Sequence, residues 1–323
     1  MMILNNLSDL QNLTETTYRQ LNFLAFWKNT KSNRIYLRYE IPKKNNTLRV
    51  LHEPTLKLKI IQKLILRSIL EQYWINHVQD DIKASSVWFH QWKSVLDNAK
   101  PHINKDIVIK IDLKNYFPSI GQNRIFGVFS KRFDYNYDIS NYLAWLCTFE
   151  NELPQWAPTS PMLANIVSIN LDIRILKYVN KIEQDSGIKI DYTRYADDIT
   201  ISLNSNDTLL VDFICNRIFN IMEEENFMVN YSKFRIIKNS RQQKVTWIVV
   251  NDKLSLWRKE FKRMKAIVYN INKNSWESEY EKWLQYWNRS GSIENFKSRI
   301  KWYISYYNMV NELIYWKHLV LER

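Results

Sequence analysis

Apolar residues recur every three or four positions in several parts of the chain. Residues 56–74, LKLKIIQKLILRSILEQYW, carry Lys and Arg between such positions, which predicts a basic amphipathic helix. In TSPMLANIVSINLDIRILKYVNKIE, we expect Ser160 to be the N-cap and Pro161 the first residue of a second helix. A third helix is predicted from Asp207 to about residue 224. From about residue 255 the pattern is helical, basic and rich in Trp and Tyr, which indicates a separate helical element.

Other stretches have the shorter patterns that are typical of strands. DIVIKIDL is a β-branched run over 106–113 and predicts a strand ending near Asp112. IKIDYTRY and ITISL alternate apolar with polar residues on either side of residues 196–198, which predicts a β-hairpin with acids at its tip. FMVNYSKFRII, over 227–237, is a further predicted strand. The order strand, helix, hairpin, helix, strand indicates an α+β core around an antiparallel sheet.

Length and charge narrow the class of protein. At 323 residues the chain exceeds the usual size of one hydrophobic core, so we expect two or three subdomains, and we find no repeat or flexible linker between them. A hydrophobic fraction of 46% with 24% charged residues is typical of a globular protein. The net charge of +13 and the pI near 9.4 favour a partner with a phosphate backbone, although a basic protein without a nucleic-acid role stays an alternative.

Cysteine usage and the N-terminus indicate a compartment. Cys147 and Cys215 are far apart and neither is in a CxxC motif, so the sequence predicts neither a disulfide framework nor a zinc site. The N-terminal residues lack the pattern of a signal peptide, and no segment has eighteen uncharged apolar residues. We therefore expect a cytoplasmic protein that is not in a membrane.

Two neighbouring acids, Asp197 and Asp198, lie in DYTRYADDIT, between the predicted strands of the hairpin. Adjacent carboxylates repel each other, and a divalent cation relieves this repulsion well. Asp112 ends another predicted strand and could supply a third carboxylate, giving the hard oxygen ligands that Mg²⁺ prefers together with phosphates. The alternative is that the pair is ordinary solvated turn chemistry, because Asp favours turns.

Three ordered motifs resemble the palm of reverse transcriptases: IDLKNYFPSI at 111–120, LPQWAPTSP at 153–161, and YADD at 195–198, as motifs A, B and C. DNAKPH at 97–102 resembles the NAxxH element, and VTWIVVN at 245–251 the VTG element, of bacterial retron reverse transcriptases. The resemblance covers roughly residues 35 to 270. It implies a right-hand polymerase fold of the α+β class, with fingers, an antiparallel-sheet palm and a helical thumb.

The resemblance also implies a division into domains. Residues 1–105 would form the N-terminal helices and fingers, and 106–250 the palm with the remainder of the fingers interleaved. Residues 251–323 would form the thumb, where NFKSRIKWYISYYNMVNELIYWKHLVLER interleaves basic residues with aromatic ones. Such a tail suits contact with a duplex, but aromatic residues at helical spacing are more often core, and we expect most of these to be core.

By the same resemblance, Asp112, Asp197 and Asp198 match the catalytic metal-binding triad, and the backbone carbonyl of Leu113 would complete the metal shell. Two Mg²⁺ ions would be the cofactor, with Mn²⁺ as a possible substitute. They would align an attacking hydroxyl and stabilise the pyrophosphate leaving group. Lys233, in NYSKFRI, matches the motif D lysine that could protonate pyrophosphate; without the resemblance it is one lysine among many.

Further matches concern the nucleotide and the template. Phe117 matches the steric gate that excludes a ribose 2′-OH, Gln155 the motif B glutamine beside the nucleotide, and Tyr195 the residue that supports the primer terminus. A set of cations lies where the fingers of such enzymes hold triphosphate or template: Arg49, Lys57 and Lys63. On a basic helix, however, a solvated face has the same pattern. His102 matches the histidine of NAxxH, and the residues alone indicate no role for it.

The chain departs from the family at its glycines. It has 4 Gly and 13 Trp, whereas average usage predicts roughly twenty or more glycines. Trp88, Trp92, Trp156 and Trp247 occupy positions where the family has glycine. Either these tryptophans are genuine and the enzyme is altered or inactive, or the gene comes from an organism that reads UGA as glycine. We favour the second explanation, because glycine serves where backbone approaches a substrate or adopts positive φ.

The sequence therefore predicts an RNA-directed DNA polymerase of the retron type, which uses deoxynucleoside triphosphates. Family members copy a cognate structured noncoding RNA, which also primes synthesis, into a branched RNA-DNA hybrid (msDNA) used in phage defence with an effector protein. One alternative is another stand-alone bacterial reverse transcriptase, such as a group II intron type. The other is a catalytically inert nucleic-acid-binding scaffold with the polymerase shape.

Overall fold

The computed structural model describes residues 3–26, 35–42, 48–89, 93–287 and 292–311. The chain divides into two compact units, one of residues 1–93 and 109–236 and the other of residues 94–108 and 237–323. The division passes through two strands of the main sheet. The predicted three-part division, with boundaries after residues 105 and 250, stays a prediction.

The first unit begins with helices and a hairpin. Their bounds are α1 Leu7–Thr14, α2 Tyr18–Phe26, β1 Tyr36–Pro42, β2 Leu48–Pro54, α3 Leu56–Ile65, α4 Glu71–His77 and α5 Asp80–Ser85. The strands β1 and β2 pair antiparallel. A π-helical turn, Leu66–Leu70, joins α3 to α4, so the predicted amphipathic helix is confirmed as one continuous helical rod that contains this turn. Buried Ile61 and Ile65 lie on its inner face.

The sheet carries the motifs singled out above. Its elements, with the helices between them, are α6 Val95–Ala99, β3 Ile107–Asp112, α7 Gln122–Gly127, α8 Tyr137–Cys147, α9 Ser160–Val167, α10 Ile169–Ser186, β4 Ile190–Tyr195, β5 Asp198–Leu203, α11 Thr208–Glu224 and β6 Arg235–Lys238. Among the described residues, four strands form this sheet in the order β4-β5-β3-β6. Helix α10 packs on β4 and on α11. The fold is thus helical and antiparallel-sheet in kind, as predicted.

Local chemistry explains the boundaries of the hairpin and its flanking helices. β4 and β5 are antiparallel with Tyr195 opposite Asp198, so the turn consists of Ala196 and Asp197. Helix α10 ends at Ser186 and is capped by Gly187, whose φ of 70° is a left-handed conformation that glycine adopts at little cost. Helix α11 begins after Asp207, whose carboxylate accepts hydrogen bonds from two backbone N–H groups of the first turn. The predicted start at Asp207 is confirmed.

Two details of the sequence-based prediction are wrong. Ser160 is the first residue of α9 and not its N-cap, and Pro161 is the second residue and not the first, because the chain enters the helix through Thr159. The predicted strand over 227–237 is shorter: β6 begins only at Arg235, and a turn stabilised by the N–H of Lys233 donating to the carbonyl of Asn230 precedes it. Asn favours turns through its short polar side chain, which overrides the alternating pattern there.

The second unit has its own core. Its remaining elements are β7 Lys244–Val245, β8 Ile248–Val249, α12 Arg258–Lys273, α13 Trp276–Trp287 and α14 Ile293–Asn311, which confirm the helical C-terminal region within the described residues. Phe296 and Tyr307 of α14 are buried, and Tyr303 packs against the same core. We expected most aromatic residues of the tail to be core, and among the described ones Trp302 is 59% exposed.

Across the described ranges, no helix is both long enough and apolar enough to cross a membrane. Cys147 and Cys215 are both buried and free of disulfides.

Candidate active site

The three predicted acids lie together at one end of the sheet. Asp112 is the last residue of β3, and Asp197 and Asp198 occupy the turn and the first position of the neighbouring strand β5. The N–H of Leu113 donates to the carbonyl of Asp197 over 3.0 Å, which ties the end of β3 to the turn. The sheet therefore brings together carboxylates that are some eighty residues apart in the sequence.

Burial and mutual repulsion outweigh the nearby lysines in the electrostatics of the acids. Burial, followed by repulsion from Asp198 and Asp112, raises the pKa of Asp197 to about 6. Burial also raises the pKa of Asp198, with Asp112 adding to the effect and Lys110 opposing it. A bound cation would reverse both shifts, because it stabilises the ionised carboxylates.

Asp112 is held by two donors from the turn before β6. Lys233 Nζ lies 2.8 Å from Asp112 Oδ2, and Asn230 Nδ2 donates to Asp112 Oδ1 over 2.8 Å. Burial lowers the pKa of Lys233, but the hydrogen bond and charge of Asp112 outweigh this and raise it overall. In this arrangement, no three His, Cys, Asp or Glu side chains of the described residues are grouped closely enough to hold a metal ion.

The donor set nevertheless fits a divalent ion. The three carboxylates at one sheet end are hard oxygen donors, and two of them have a raised pKa because the lysines nearby offset burial and repulsion only in part. Mg²⁺ prefers such oxygen ligands and would relieve the remaining repulsion. In place of a metal ion, the side-chain ammonium of Lys233 forms an ion pair with one carboxylate oxygen of Asp112.

Aromatic residues form one wall beside the acids. The indole of Trp88 meets the ring of Phe117 edge to face at a centroid distance of 5.8 Å, and the ring of Tyr195 at 6.3 Å. The carbonyl of Trp88 accepts a hydrogen bond of 2.7 Å from Asn165 Nδ2 on α9. The structure thus brings the predicted gate, Phe117, and the predicted primer residue, Tyr195, against the same tryptophan.

A cavity of about 650 Å³ lies between the α3–α4 rod and the loop before α9. Lys63 and Gln155 both line it, as do Lys59 and Arg67, which the sequence analysis did not single out. These three cations recur every four residues, and that spacing is the signal that could have found them. Arg49 and Lys57 are exposed but do not line this cavity.

Comparison with known proteins identifies the family. The family described as Reverse transcriptase (RNA-dependent DNA polymerase) matches residues 41–269. The "Retron Ec86 reverse transcriptase" of Escherichia coli is 33% identical over 83% of this chain and 79% of its own length. The chain belongs to the reverse transcriptase family, as a retron-type member.

Other relatives agree with this assignment. The "Retron Mx65 reverse transcriptase" of Myxococcus xanthus is 29% identical over 73% of this chain, which spans 56% of that longer protein. Among solved structures, apo telomerase from Candida tropicalis superposes with a TM-score of 0.51 at 12% identity, over 94% of this chain and 66% of that one. At that identity the likeness concerns the fold alone. This reverse transcriptase is therefore an RNA-directed DNA polymerase with a polymerase fold.

The NAxxH-like element at 97–102 and the VTG-like element at 245–251 are in contact within the second unit of this reverse transcriptase. Asn98 Nδ2 donates to Thr246 Oγ1 over 3.5 Å, and Thr246 Oγ1 donates to the carbonyl of Val95. His102 is fully buried, and burial together with the charge of Lys105 lowers its pKa to about 3. A neutral, buried imidazole indicates that His102 supports the packing of this region.

The tryptophans that replace glycine in this reverse transcriptase have unlike environments. Trp247 and Thr246 form the two-residue turn between β7 and β8, and both have positive φ, 69° and 45°, the sign pattern of a type I′ turn that favours glycine. Trp156 lies 5.5 Å from the ring of Tyr39 and is 44% exposed, with no positive φ. Trp92 lies outside the described residues. Backbone conformation thus favours glycine at 247 in particular.

One buried polar cluster of this reverse transcriptase escaped the sequence analysis. Arg194, on β4 immediately before Tyr195, is completely buried and forms an ion pair with Asp172 of α10. Its guanidinium donates to Ser86, Tyr116 and Asn165 on three other segments, and to the carbonyl of Ala196 in its own hairpin. A charged residue inside an alternating strand pattern was the available signal, since Arg is almost never fully buried unless it is paired.

Proposed function

We propose that this reverse transcriptase adds deoxynucleotides to a primer hydroxyl at the site of Asp112, Asp197 and Asp198, using two Mg²⁺ ions, with Mn²⁺ as a substitute. The observation that carries the proposal is the tie between the strand ending in Asp112 and the turn bearing Asp197, made by the N–H of Leu113. In the proposed assignment, the carbonyl of Leu113 is a further oxygen ligand. When bound, the ions would supply charge stabilisation for the attacking hydroxyl and the leaving pyrophosphate.

The chain's own residues have separate proposed roles in this reaction. Lys233 is the proposed proton donor to pyrophosphate, and its raised pKa keeps the ammonium protonated at neutral pH. Phe117 is the proposed sugar gate, whose ring would clash with a ribose 2′-OH, and the indole of Trp88 at 5.8 Å restricts how far that ring can move. Tyr195 is the proposed support for the primer terminus.

The cavity beside α3 is the proposed site for the triphosphate and base. Lys63 and Arg67 present positive charge to it, whereas the ammonium of Lys59 is paired with Glu53 at 2.7 Å. Gln155 lines the opposite loop, so the cavity has both a phosphate-binding face and a hydrogen-bonding amide. Arg49 and Lys57 would contact the template outside this cavity. In the second unit, exposed Trp302 stacks on Tyr306 at 5.5 Å, and this pair is a proposed contact for a nucleic-acid duplex.

The template in this proposal is a structured noncoding RNA, copied and branched into msDNA and used in phage defence with an effector protein. The support is the similarity to retron reverse transcriptases and the net charge of +13. An inverted-repeat noncoding RNA gene directly beside the coding sequence would favour this template over that of a group II intron type. Absence of such a gene from the complete locus would contradict it.

A primer-extension assay tests the polymerase. Purified protein with oligo(dT)-primed poly(rA), dTTP and Mg²⁺ should incorporate label, and Asp197→Ala or Asp198→Ala should abolish incorporation. Asp185→Ala, at an exposed acid of α10, is the matched control and should retain the wild-type rate. Incorporation that survives both active-site substitutions would refute the proposed site.

A second candidate, a catalytically inert scaffold, is favoured by the packing of Trp88 against both Phe117 and Tyr195, where an indole fills space beside the acids. The hypothesis that UGA encodes glycine predicts which codons the gene has at the four tryptophan positions. UGG codons at positions 88, 92, 156 and 247 would end it, and UGA codons would support it. Binding of the template without incorporation, in the wild type and in a glycine-restored protein alike, would favour the scaffold.

A further inference from the structure

The turn that carries Asp197 has a strained backbone. Ala196 has a φ of 56°, while Asp197 is not among the positive-φ residues, so the two-residue turn has the sign pattern of type II′. That pattern favours glycine at its first position, and an L-residue there is strained. The turn therefore needs interactions beyond the strand pairing of the hairpin to keep one conformation.

Hydrogen bonds hold both carbonyls of this turn. The carbonyl of Asp197 accepts from the N–H of Leu113 at 3.0 Å, and the carbonyl of Ala196 accepts from Arg194 Nη1 at 3.3 Å. One bond comes from the strand that ends in Asp112. The other comes from a side chain, so it is open to substitution without changing the backbone of the turn.

The guanidinium that holds Ala196 is itself fixed on several sides. Arg194 Nη2 lies 2.7 Å from Asp172 Oδ2 and Nε lies 2.8 Å from Asp172 Oδ1, a bidentate pair with both side chains fully buried. The hydroxyl of Tyr192 donates to Asp172 Oδ1 over 2.6 Å and fixes the carboxylate in turn. Ser86 accepts from Nη2 at 2.9 Å. Such a network leaves the guanidinium one orientation.

We propose that Arg194 is a positioning residue for nucleotide addition: it holds the strained Ala196 carbonyl and thereby sets the direction in which Asp197 and Asp198 present their carboxylates. The inference rests on the proposed function, because nucleotide addition is the reaction for which the carboxylates of Asp197 and Asp198 would be oriented. Asp172 acts through Arg194 and touches none of the three acids of the site in any hydrogen bond that the described residues make. The buried pair alone would not be evidence of function, because apolar residues often replace such pairs without loss of stability.

Arg194→Lys tests the proposal, because lysine keeps the charge facing Asp172 but lacks the planar set of donors that reaches Ala196. Arg174→Lys is the matched control: Arg174 also lies on an element packed in this unit and pairs with Glu225 at 2.8 Å, but it contacts neither the turn nor the acids. The first readout is hydrogen exchange of the Leu113 amide in metal-free protein. The second is the Mg²⁺ concentration that gives the half-maximal polymerisation rate.

Arg194→Lys should speed exchange at Leu113 and raise the Mg²⁺ midpoint, each about tenfold, the effect expected from losing one hydrogen bond from a charged donor. The KM for dTTP should stay within about twofold, because the triphosphate cavity is not touched. Arg174→Lys should change neither readout. Unchanged exchange at Leu113 in a folded Arg194→Lys protein would overturn the proposal.

A second variant tests the proposal in case Arg194→Lys does not fold. Asp172→Leu together with Arg194→Met replaces the buried pair by apolar side chains and should fold, while it cannot donate to Ala196. It should show the same faster exchange at Leu113, and wild-type exchange there would overturn the proposal. If the wild type does not polymerise, the proposed function fails, whereas the exchange measurement still decides the role of Arg194.

Discussion

Asp197→Asn should make the metal-free protein more stable while it abolishes polymerisation. Burial and repulsion raise the pKa of Asp197 from 3.8 to about 6, so the ionised carboxylate is less stable in the folded chain than in the unfolded one. A shift of about two units corresponds to a cost of about 3 kcal/mol at most, at about 1.4 kcal/mol per unit. Asparagine has nearly the same size and cannot ionise, so it removes this cost.

The pH dependence gives the sign of the effect. Below pH 3.8 the carboxyl is protonated in both states and contributes no difference. Between pH 3.8 and about 6 the unfolded chain loses the proton first, so the wild type loses stability as the pH rises, and the full cost is present above pH 6. The gain from Asp197→Asn should therefore be about 1–3 kcal/mol at pH 7.5 and should fall to about 0.5 kcal/mol near pH 4.

Urea unfolding in EDTA at both pH values measures this gain as a difference in the free energy of unfolding. Asp185→Asn, at an exposed acid, is the control and should leave stability unchanged at both pH values. Addition of Mg²⁺ should stabilise the wild type more than Asp197→Asn, because the variant lacks one charged ligand. The reasoning is refuted if the variant is no more stable than the wild type at pH 7.5, or if its gain at pH 4 is as large as at pH 7.5.

Three further predictions concern the aromatic residues. Trp247→Gly should raise the free energy of urea unfolding by about 1 kcal/mol, because glycine relieves the positive φ of a side chain that is 70% exposed, and a destabilised variant would contradict this. Trp156→Gly, at a position without positive φ, should give no such gain. Trp88→Gly should raise the polymerisation rate by freeing space beside Phe117, and an unchanged rate in primer extension would argue against obstruction. Phe117→Ala should raise incorporation of ribonucleotides relative to deoxynucleotides by at least about tenfold, and retained discrimination would remove Phe117 as the sugar gate.

The sequence by itself determined the local elements and the chemistry they carry. Alternation of apolar and polar residues on both sides of Asp197 specified the hairpin, because each strand residue faces the opposite side from its neighbour. The helical spacing over 56–74 likewise specified the rod of α3 and α4. Where a short polar side chain competed with the pattern, as at Asn230, the periodicity failed and the predicted strand became a turn.

Only the tertiary structure decided which distant residues complete the site. Arg194 meets Ser86 across 108 positions, and Lys233 meets Asp112 across 121, and no local pattern encodes either pair. Such contacts depend on how helices and strands pack, whereas periodicity reports only the face on which each side chain lies. The raised pKa of Asp197 has the same origin, since it follows from burial and from the approach of carboxylates on two neighbouring strands.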